Sequence, residues 1–268
     1  MRSLFKAITC SVFLSIVSAY IWPQSSDVAA TTLTEKDVKV IEFEDMRYPF
    51  VVNGEPVHVG GIVVVALKLD EGGHVREASA ITGDSSLVQS TLDNVRKWRF
   101  EPNSSRSAII VYHFKIADGL CKSPSSFFTL EGPNLATITA CFPSTESGSI
   151  ARGSVNQPDI LDFEEMQYPA LAAQASVHGL VVLQVKIDEN GAVTDAAAVM
   201  GNKILVPACL VNVKKWRFRK TAGQTVVVVY HFTFAGEGLR YNSDQQRQFV
   251  LEPGNFVRVI ATRMLAQP

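Results

Sequence analysis

The sequence predicts an α+β protein made of two tandem domains, each with helices packed on a small antiparallel β-sheet plus an appended β-hairpin. Three observations carry this. Six residues recur almost unchanged, VRKWRF at 95–100 and VKKWRF at 213–218. The recurrence extends to flanking segments: FEDMRYP (43–49) answers FEEMQYP (163–169), GIVVVALKLDEGGHV (61–75) answers GLVVLQVKIDENGAV (179–193), and VYHF stands at both 111–114 and 229–232. Within each copy, stretches of period-two hydrophobicity flank one stretch of helical period. The offset between copies stays between 118 and 121 residues. Two repeats of that length are too few and too long for a stack of short repeats, so they read as two domains of one fold. The expected organisation is a first domain with its hairpin over 34–142, a linker over 143–158 and a second domain with its hairpin over 159–268. PSTESGSIARGSVNQP, the linker, is polar and contains Gly and Ser.

Residues 1–22 come first. Arg2 and Lys6 precede the uncharged, largely apolar run AITCSVFLSIVSAYIW (7–22). It is short and Ser-rich for a transmembrane helix and fits a secretory signal, with small-residue cleavage sites ending at Ala19 or Ala30. An uncleaved signal anchor is the other reading. Either way the rest of the chain is expected to be exported to the periplasm, free or anchored to the inner membrane.

Each unit then opens with an acidic lead-in and Tyr-Pro. In the second copy YPALAAQASVHG (168–179) reads as a helix, with Pro169 in its first turn and Gly179 at its exit. The first copy has Asn53-Gly54 and Pro56 there, which shorten the helix or replace it by a turn. Next, Val63, Val65, Leu67 and Leu69 share one strand face, as do Val181, Leu183, Val185 and Ile187. Asp-Glu-Gly-Gly (70–73) and Asp-Glu-Asn-Gly (188–191) make tight turns, and a second strand returns over 75–81 or 193–199. Val88, Leu92, Val95 and Trp98, spaced by three and four, form the stripe of a helix; Val206, Leu210, Val213 and Trp216 repeat it. The hexapeptide thus ends a helix whose Val and Trp face the core and whose Lys and Arg face water.

The last strand, 107–116 or 225–234, carries Tyr112 and Tyr230. With Trp98 and Trp216 these are the expected core anchors. Near its start this strand is apolar on both faces, which predicts that the appended hairpin, the sister domain or a partner covers the second face. Glu-Gly-Pro-Asn (131–134) turns a hairpin between Cys121 and Cys141. The two cysteines lie at its open end, and the second copy lacks both together, with Arg240 and Thr262 in their places. This favours a Cys121–Cys141 disulfide, which export permits. Cys209 lies on a helical apolar stripe and reads as a small buried hydrophobe.

With 47% hydrophobic residues and a formal charge of −1, the chain has no basic stripe for nucleic acid. No nucleophile, base and orienting group assemble, so no catalytic residue is expected. His58 aligns with His178 and His113 with His231, a repetition that points to structural roles. Neither His-x-x-x-His nor Cys-x-x-Cys spacing occurs, so neither metal nor cofactor is expected. Asp70-Glu71 and Asp188-Glu189 read as turn residues.

Tyr-Pro, then G-x-V-x-[VL]-x-[LV]-K-[LI]-D-E-x-G, then a helix closing in W-R-F and a strand ending in an aromatic residue, together resemble the TonB C-terminal domain. The likeness covers about 45–116 and 165–234. It implies a small α+β unit with helices against a three-stranded antiparallel sheet, and a role in protein–protein contact. Such domains add a short receptor peptide to a sheet edge as a further strand. Carried over, the resemblance places the partner-binding edge on Val226, Val227, Val228, Val229, Tyr230, His231 and Phe232, with 108–114 as its counterpart. The implied partner is a periplasmic or outer-membrane protein, such as a TonB-dependent receptor peptide, and a homodimer through the same strand is the further option. The favoured reading is a non-catalytic interaction protein linked to TonB-dependent transport. A membrane-anchored energy transducer is the alternative. Against it, no histidine lies in the apolar run and no Pro-rich spacer follows it.

Overall fold

A computed structural model describes residues 39–118, 121–143, 160–219, 225–235 and 249–261. The signal segment, the linker beyond Pro143, Arg240 and Thr262 lie outside the described residues.

The first copy begins with β1 (Val40–Glu42) and a short hairpin, β2 (Val51–Val52) and β3 (Glu55–Pro56). Asn53 and Gly54, both at positive φ, turn that hairpin where the second copy has its short helix. Then come β4 (Gly61–Leu69), β5 (Val75–Thr82), α1 (Ser85–Val95), β6 (Arg99–Phe100), β7 (Ser107–Asp118), β8 (Ser125–Leu130) and β9 (Leu135–Phe142). The second copy repeats this as β10 (Ile160–Asp162), α2 (Ala170–Gln174), β11 (Gly179–Ile187), β12 (Val193–Met200), α3 (Val206–Val213), β13 (Arg217–Phe218), β14 (Thr225–Phe234), β15 (Phe249–Glu252) and β16 (Phe256–Ala261).

The expected fold class needs correction. Strands dominate, and the three helices hold only 11, 5 and 8 residues. In place of a three-stranded antiparallel sheet with a hairpin appended, each copy has a five-stranded mixed sheet, in the orders β5-β4-β7-β9-β8 and β12-β11-β14-β16-β15. The hairpin joins the sheet, because β9 runs parallel to β7 from Val111↔Leu135 to Asp118↔Phe142, and β16 runs parallel to β14 from Val229↔Phe256 to Phe234↔Ala261. Backbone groups that a three-stranded unit would leave open are satisfied from within the chain.

One face of each sheet packs on its own helix and lead-in. In the first copy Val63, Val65 and Leu67 meet Leu87, Val95, Trp98 and Tyr112; in the second Val181, Leu183 and Val185 meet Cys209, Val213, Trp216 and Tyr230. The other faces close on each other. Ile62, Val64, Ile109, Val111 and Leu135 of the first copy form one buried cluster with Leu180, Val182, Met200, Val227, Val229 and Phe256 of the second. The sister copy is therefore the cover that the two-faced last strand requires. Gly254 sits at the tightest point. It has positive φ, and a Cβ there would come within 2.6 Å of Gly61 Cα and of the Ile62 nitrogen.

Cys121 and Cys141 are bonded, with Cα atoms 6.1 Å apart, and Cys209 is free and buried. Reduction removes a constraint worth about 3 kcal/mol in the chain-entropy picture, so a melt of the full chain with reductant should show a lower Tm. Gly254→Val should cost at least about 3 kcal/mol by denaturant titration, through backbone strain and a clash with β4.

Candidate partner-binding site

The strand assigned to partner binding is not an edge. Val226 to Phe232 lie on β14, the middle strand of its sheet. On one side Lys186↔Thr225 to Gly179↔Phe232 pair with β11. On the other, β16 occupies Val229 to Phe234. The seal extends below that ladder. The Val229 N–H donates to the Asn255 carbonyl (3.0 Å), and Asn255 Nδ2 donates to the Val227 carbonyl (3.4 Å). The counterpart 108–114 on β7 is likewise flanked by β4 and β9. Side chains follow the same logic. Val226, Val228, Tyr230 and Phe232 belong to the second copy's core, and Val227 and Val229 to the contact between copies. Sequence reasoning missed this because period-two patterning shows which face a hairpin buries and not which strand it joins.

Beneath that strand lies a polar centre that the repeat pattern contained but the hydrophobic reading passed over. Asn94, near the end of α1, accepts from Trp98 Nε1 (3.1 Å) and from the Tyr112 hydroxyl (2.8 Å) through one oxygen. Its amide donates to the Glu44 carbonyl (2.9 Å) in the lead-in. Asn212 repeats all three bonds with Trp216 (3.1 Å), Tyr230 (2.8 Å) and Glu164 (2.7 Å). A buried Trp or Tyr needs a partner for its polar tip. One asparagine serves both tips and ties the lead-in to the helix and the last strand. Burial drives the Tyr112 and Tyr230 phenols far up, so both remain donors. The available signal was an Asn retained inside both helices, where the residue is a poor helix former.

The W-R-F strand is held by the tight turn. Asp70 Oδ1 accepts from the Gly72 and His74 amides (2.8 and 2.9 Å), and Asp188 Oδ1 from Asn190 and Ala192 (both 2.8 Å). The Phe100 amide then donates to the Gly73 carbonyl (2.9 Å) and Phe218 to Gly191 (2.8 Å). A Cβ on Gly73 or Gly191, both at positive φ, would collide with the Phe100 or Phe218 carbonyl. The D-x-x-G turn and W-R-F are therefore parts of one joint.

The sheet edges are β5 and β8 in the first copy and β12 and β15 in the second. The lead-in partly covers β8 and β15. The Tyr48 amide donates to Ser126 Oγ (3.0 Å), Phe43 stacks on Phe128 (5.8 Å) and Phe163 on Phe249 (5.7 Å). On β5 and β12 no strand among the described residues pairs with the outer side. β12 offers Ala196, Ala197 and Ala198 in sequence. The Ala196 amide is met by its neighbour's side chain, Asp195 Oδ1, at 2.9 Å.

Other chemistry finds little footing. Among the described residues no group of three His, Cys, Asp or Glu side chains is placed to hold a metal. Burial drives the Cys209 thiol well up, away from nucleophilic use. His58 lies edge-on to Phe142, and His178 is near the Ser176 carbonyl.

The family described as Gram-negative bacterial TonB protein C-terminal matches residues 48–116 and 164–235, together just over half of the chain. The chain belongs to this family. Its two matched segments are the two copies, each running from Tyr-Pro or its lead-in to the end of the last strand. The hairpins β8–β9 and β15–β16 lie beyond the matched residues. No curated protein and no solved structure matches the chain. The TonB C-terminal family is a protein-interaction family that acts in TonB-type envelope transport, which places this protein in the cell envelope at that level of detail. No helix among the described residues is long and apolar enough to cross a membrane.

Asn94→Leu and Asn212→Leu each leave a buried Trp N–H and a Tyr O–H without an acceptor. At about 1–3 kcal/mol per orphaned group, each should lower stability by about 3 kcal/mol in denaturant titration, with the loss greater than that of Asn→Ala at any exposed helix position.

Proposed function

We propose that the protein is an exported, non-catalytic binding protein of the TonB C-terminal family. In this reading the domains at 34–142 and 159–268 act as one body in the periplasm. They take an extended segment of a periplasmic or outer-membrane partner, such as a TonB-dependent receptor peptide, by strand addition. The observation that carries the reading is the sheet order. The chain's own hairpins fill the side of the last strand, which leaves β5 and β12 with unpaired outer sides among the described residues, and of the two β12 carries the smaller, less charged side chains. Natural edges are commonly blunted by Lys, Pro or bulges. Residues 196–200 carry neither a charge nor a proline, and the register with β11 is regular from Asp195 to Ala198 and, within this stretch, shifts only between Ala198 and Met200. Pairing there supplies affinity through main-chain hydrogen bonds and demands little of the partner's sequence.

Two experiments test this. A photo-crosslinking residue at Thr194 in the full chain should capture a partner in cell envelopes. Ala198→Pro should abolish that capture with little change in Tm. Ala198 presents its N–H to the same side as Ala196, two residues earlier, so proline there spares the ladder to β11. Capture that survives Ala198→Pro excludes strand addition at this edge. The intact mass of the native protein tests export. A chain starting after Ala19 or Ala30 is a free periplasmic protein, and a full-length chain favours the anchored transducer.

A further inference from the structure

The contact between the two copies is largely apolar, with Asn134 set against Met200 Sδ, and its charged groups gather at one place. His113 on β7 is fully buried, with neither ring nitrogen hydrogen-bonded among the described residues. It lies flat on Phe256 of the other copy, 4.1 Å between centroids with the planes at 16°. Its Nε2 is 3.4 Å from Glu252 Oε2, which Lys115 Nζ also approaches at 2.8 Å. His231 on β14 has Nδ1 3.3 Å from Arg258 Nη1. Arg258 on β16 spans two carboxylates, Nε to Glu252 Oε1 and Nη1 to Glu131 Oε2, both at 3.1 Å.

These side chains are the charged and titratable groups facing the two histidines, drawn from β7, β14, β16, the end of β15 and the turn after β8. Two carboxylates balance one lysine and one arginine, so the cluster is neutral only while both imidazoles are neutral. Burial, reinforced by Lys115 and Arg258, holds His113 well below its ordinary value. Burial and then Arg258 bring His231 down to about 3. Glu131 is raised by burial but lowered more by Arg258 and its other contacts, and ends below its ordinary range.

We propose that His113, His231 and the charges around them form an acid-sensitive latch, which parts the two sheets on acidification while each copy keeps its own core. Imidazoles released to water take up protons near pH ~6.5, whereas within the closed contact they resist doing so. The depressed values make closure fully favourable above that pH and progressively less so below it. Between about 6.5 and 4.5 the exposed carboxylates stay ionised, so the histidines set the response. The phenols and thiol within the two copy cores, Tyr48, Tyr112, Tyr230 and Cys209, are raised by burial and stay neutral throughout this range. Separation therefore comes before unfolding. The opened form would bare Val64, Val111, Val182 and Val229, an apolar surface that is shut at neutral pH.

The test is an acid titration of the full chain followed by small-angle scattering and tryptophan emission. Trp98 and Trp216 report the two copy cores. The radius of gyration should rise between pH about 6 and 4.5 while emission stays constant. The pair His113→Leu and His231→Leu should move that rise about one pH unit lower. If the pair does not fold, His231→Gln alone should shift it in the same direction by less. Expansion that coincides with the change in emission, or an opening midpoint that the histidine variants leave in place, overturns the proposal.

Discussion

A five-stranded sheet that is apolar on both faces cannot stand in water, and the face-to-face contact of the two copies resolves that for both. Ile62, Val64, Ile109 and Val111 meet Leu180, Val182, Val227 and Val229, all almost fully buried. Each such aliphatic contributes about 1.5–3 kcal/mol when taken out of water. Together they match the several kcal/mol that burying each of the four charges costs before pairing, and the pairing of Lys115 and Arg258 with Glu131 and Glu252 returns much of that cost. The apolar contact therefore sets the arrangement, and Glu131, Glu252, Lys115 and Arg258 adapt to it. The turns of both hairpins are drawn in as well, through Gly254 against Gly61 and through Asn134, whose amide reaches Met200 Sδ at 3.0 Å.

The remaining architecture rests on joints that each copy makes separately. Asp84 caps α1 through the Ser86 amide at 2.9 Å. Asn94 hangs the lead-in, helix and last strand from one side chain, and Gly73 docks the turn beneath Phe100. Tyr48, the first residue of Tyr-Pro, both donates to the Val59 carbonyl and accepts from its amide, at 2.8 Å each. These contacts all stay within one copy, although the bond from Asn94 to Glu44 joins segments 50 residues apart. They explain why such different segments as Tyr-Pro, D-x-x-G and W-R-F travel together in both copies.

That difference in range decides what could be read from the letters. The strand faces, the D-x-x-G turns and the turn at Asn53-Gly54 are written in side-chain period and turn chemistry, and they lie where those signals put them. Trp98 and Trp216 are buried as expected, but the helices end at Val95 and Val213, so the hexapeptide leaves the helix before its Trp and its Arg-Phe pair forms a strand. The destination of the hairpins was not legible. Leu135 to Phe142 alternates as any half-buried strand does, and nothing in that alternation names β7 as its neighbour or the parallel direction of the pairing. For the same reason Val226 to Phe232 read as an edge. The need for a cover over β7 and β14 was legible, because Val111 and Val229 had no water-facing excuse, but its identity required the three-dimensional contact. His113 looked like an isolated strand histidine, and only the approach of Glu252 and Arg258 from the other copy makes it part of a cluster.

The copies are equivalent in outline but not at their junction. Thr137 stands in the first copy where Arg258 stands in the second, and Lys115 where the second has Thr233. A pair of identical chains related by a twofold axis must present the same residue from both sides. Two arginines would then confront each other across the centre, or two threonines would leave the lysines alone to answer both glutamates. Joining the halves in one polypeptide removes that restriction. A single guanidinium can answer both acids, and each half is free to drift as long as the other compensates. Covalent linkage here does more than hold the halves together: it permits an uneven division of labour that no symmetric assembly could adopt.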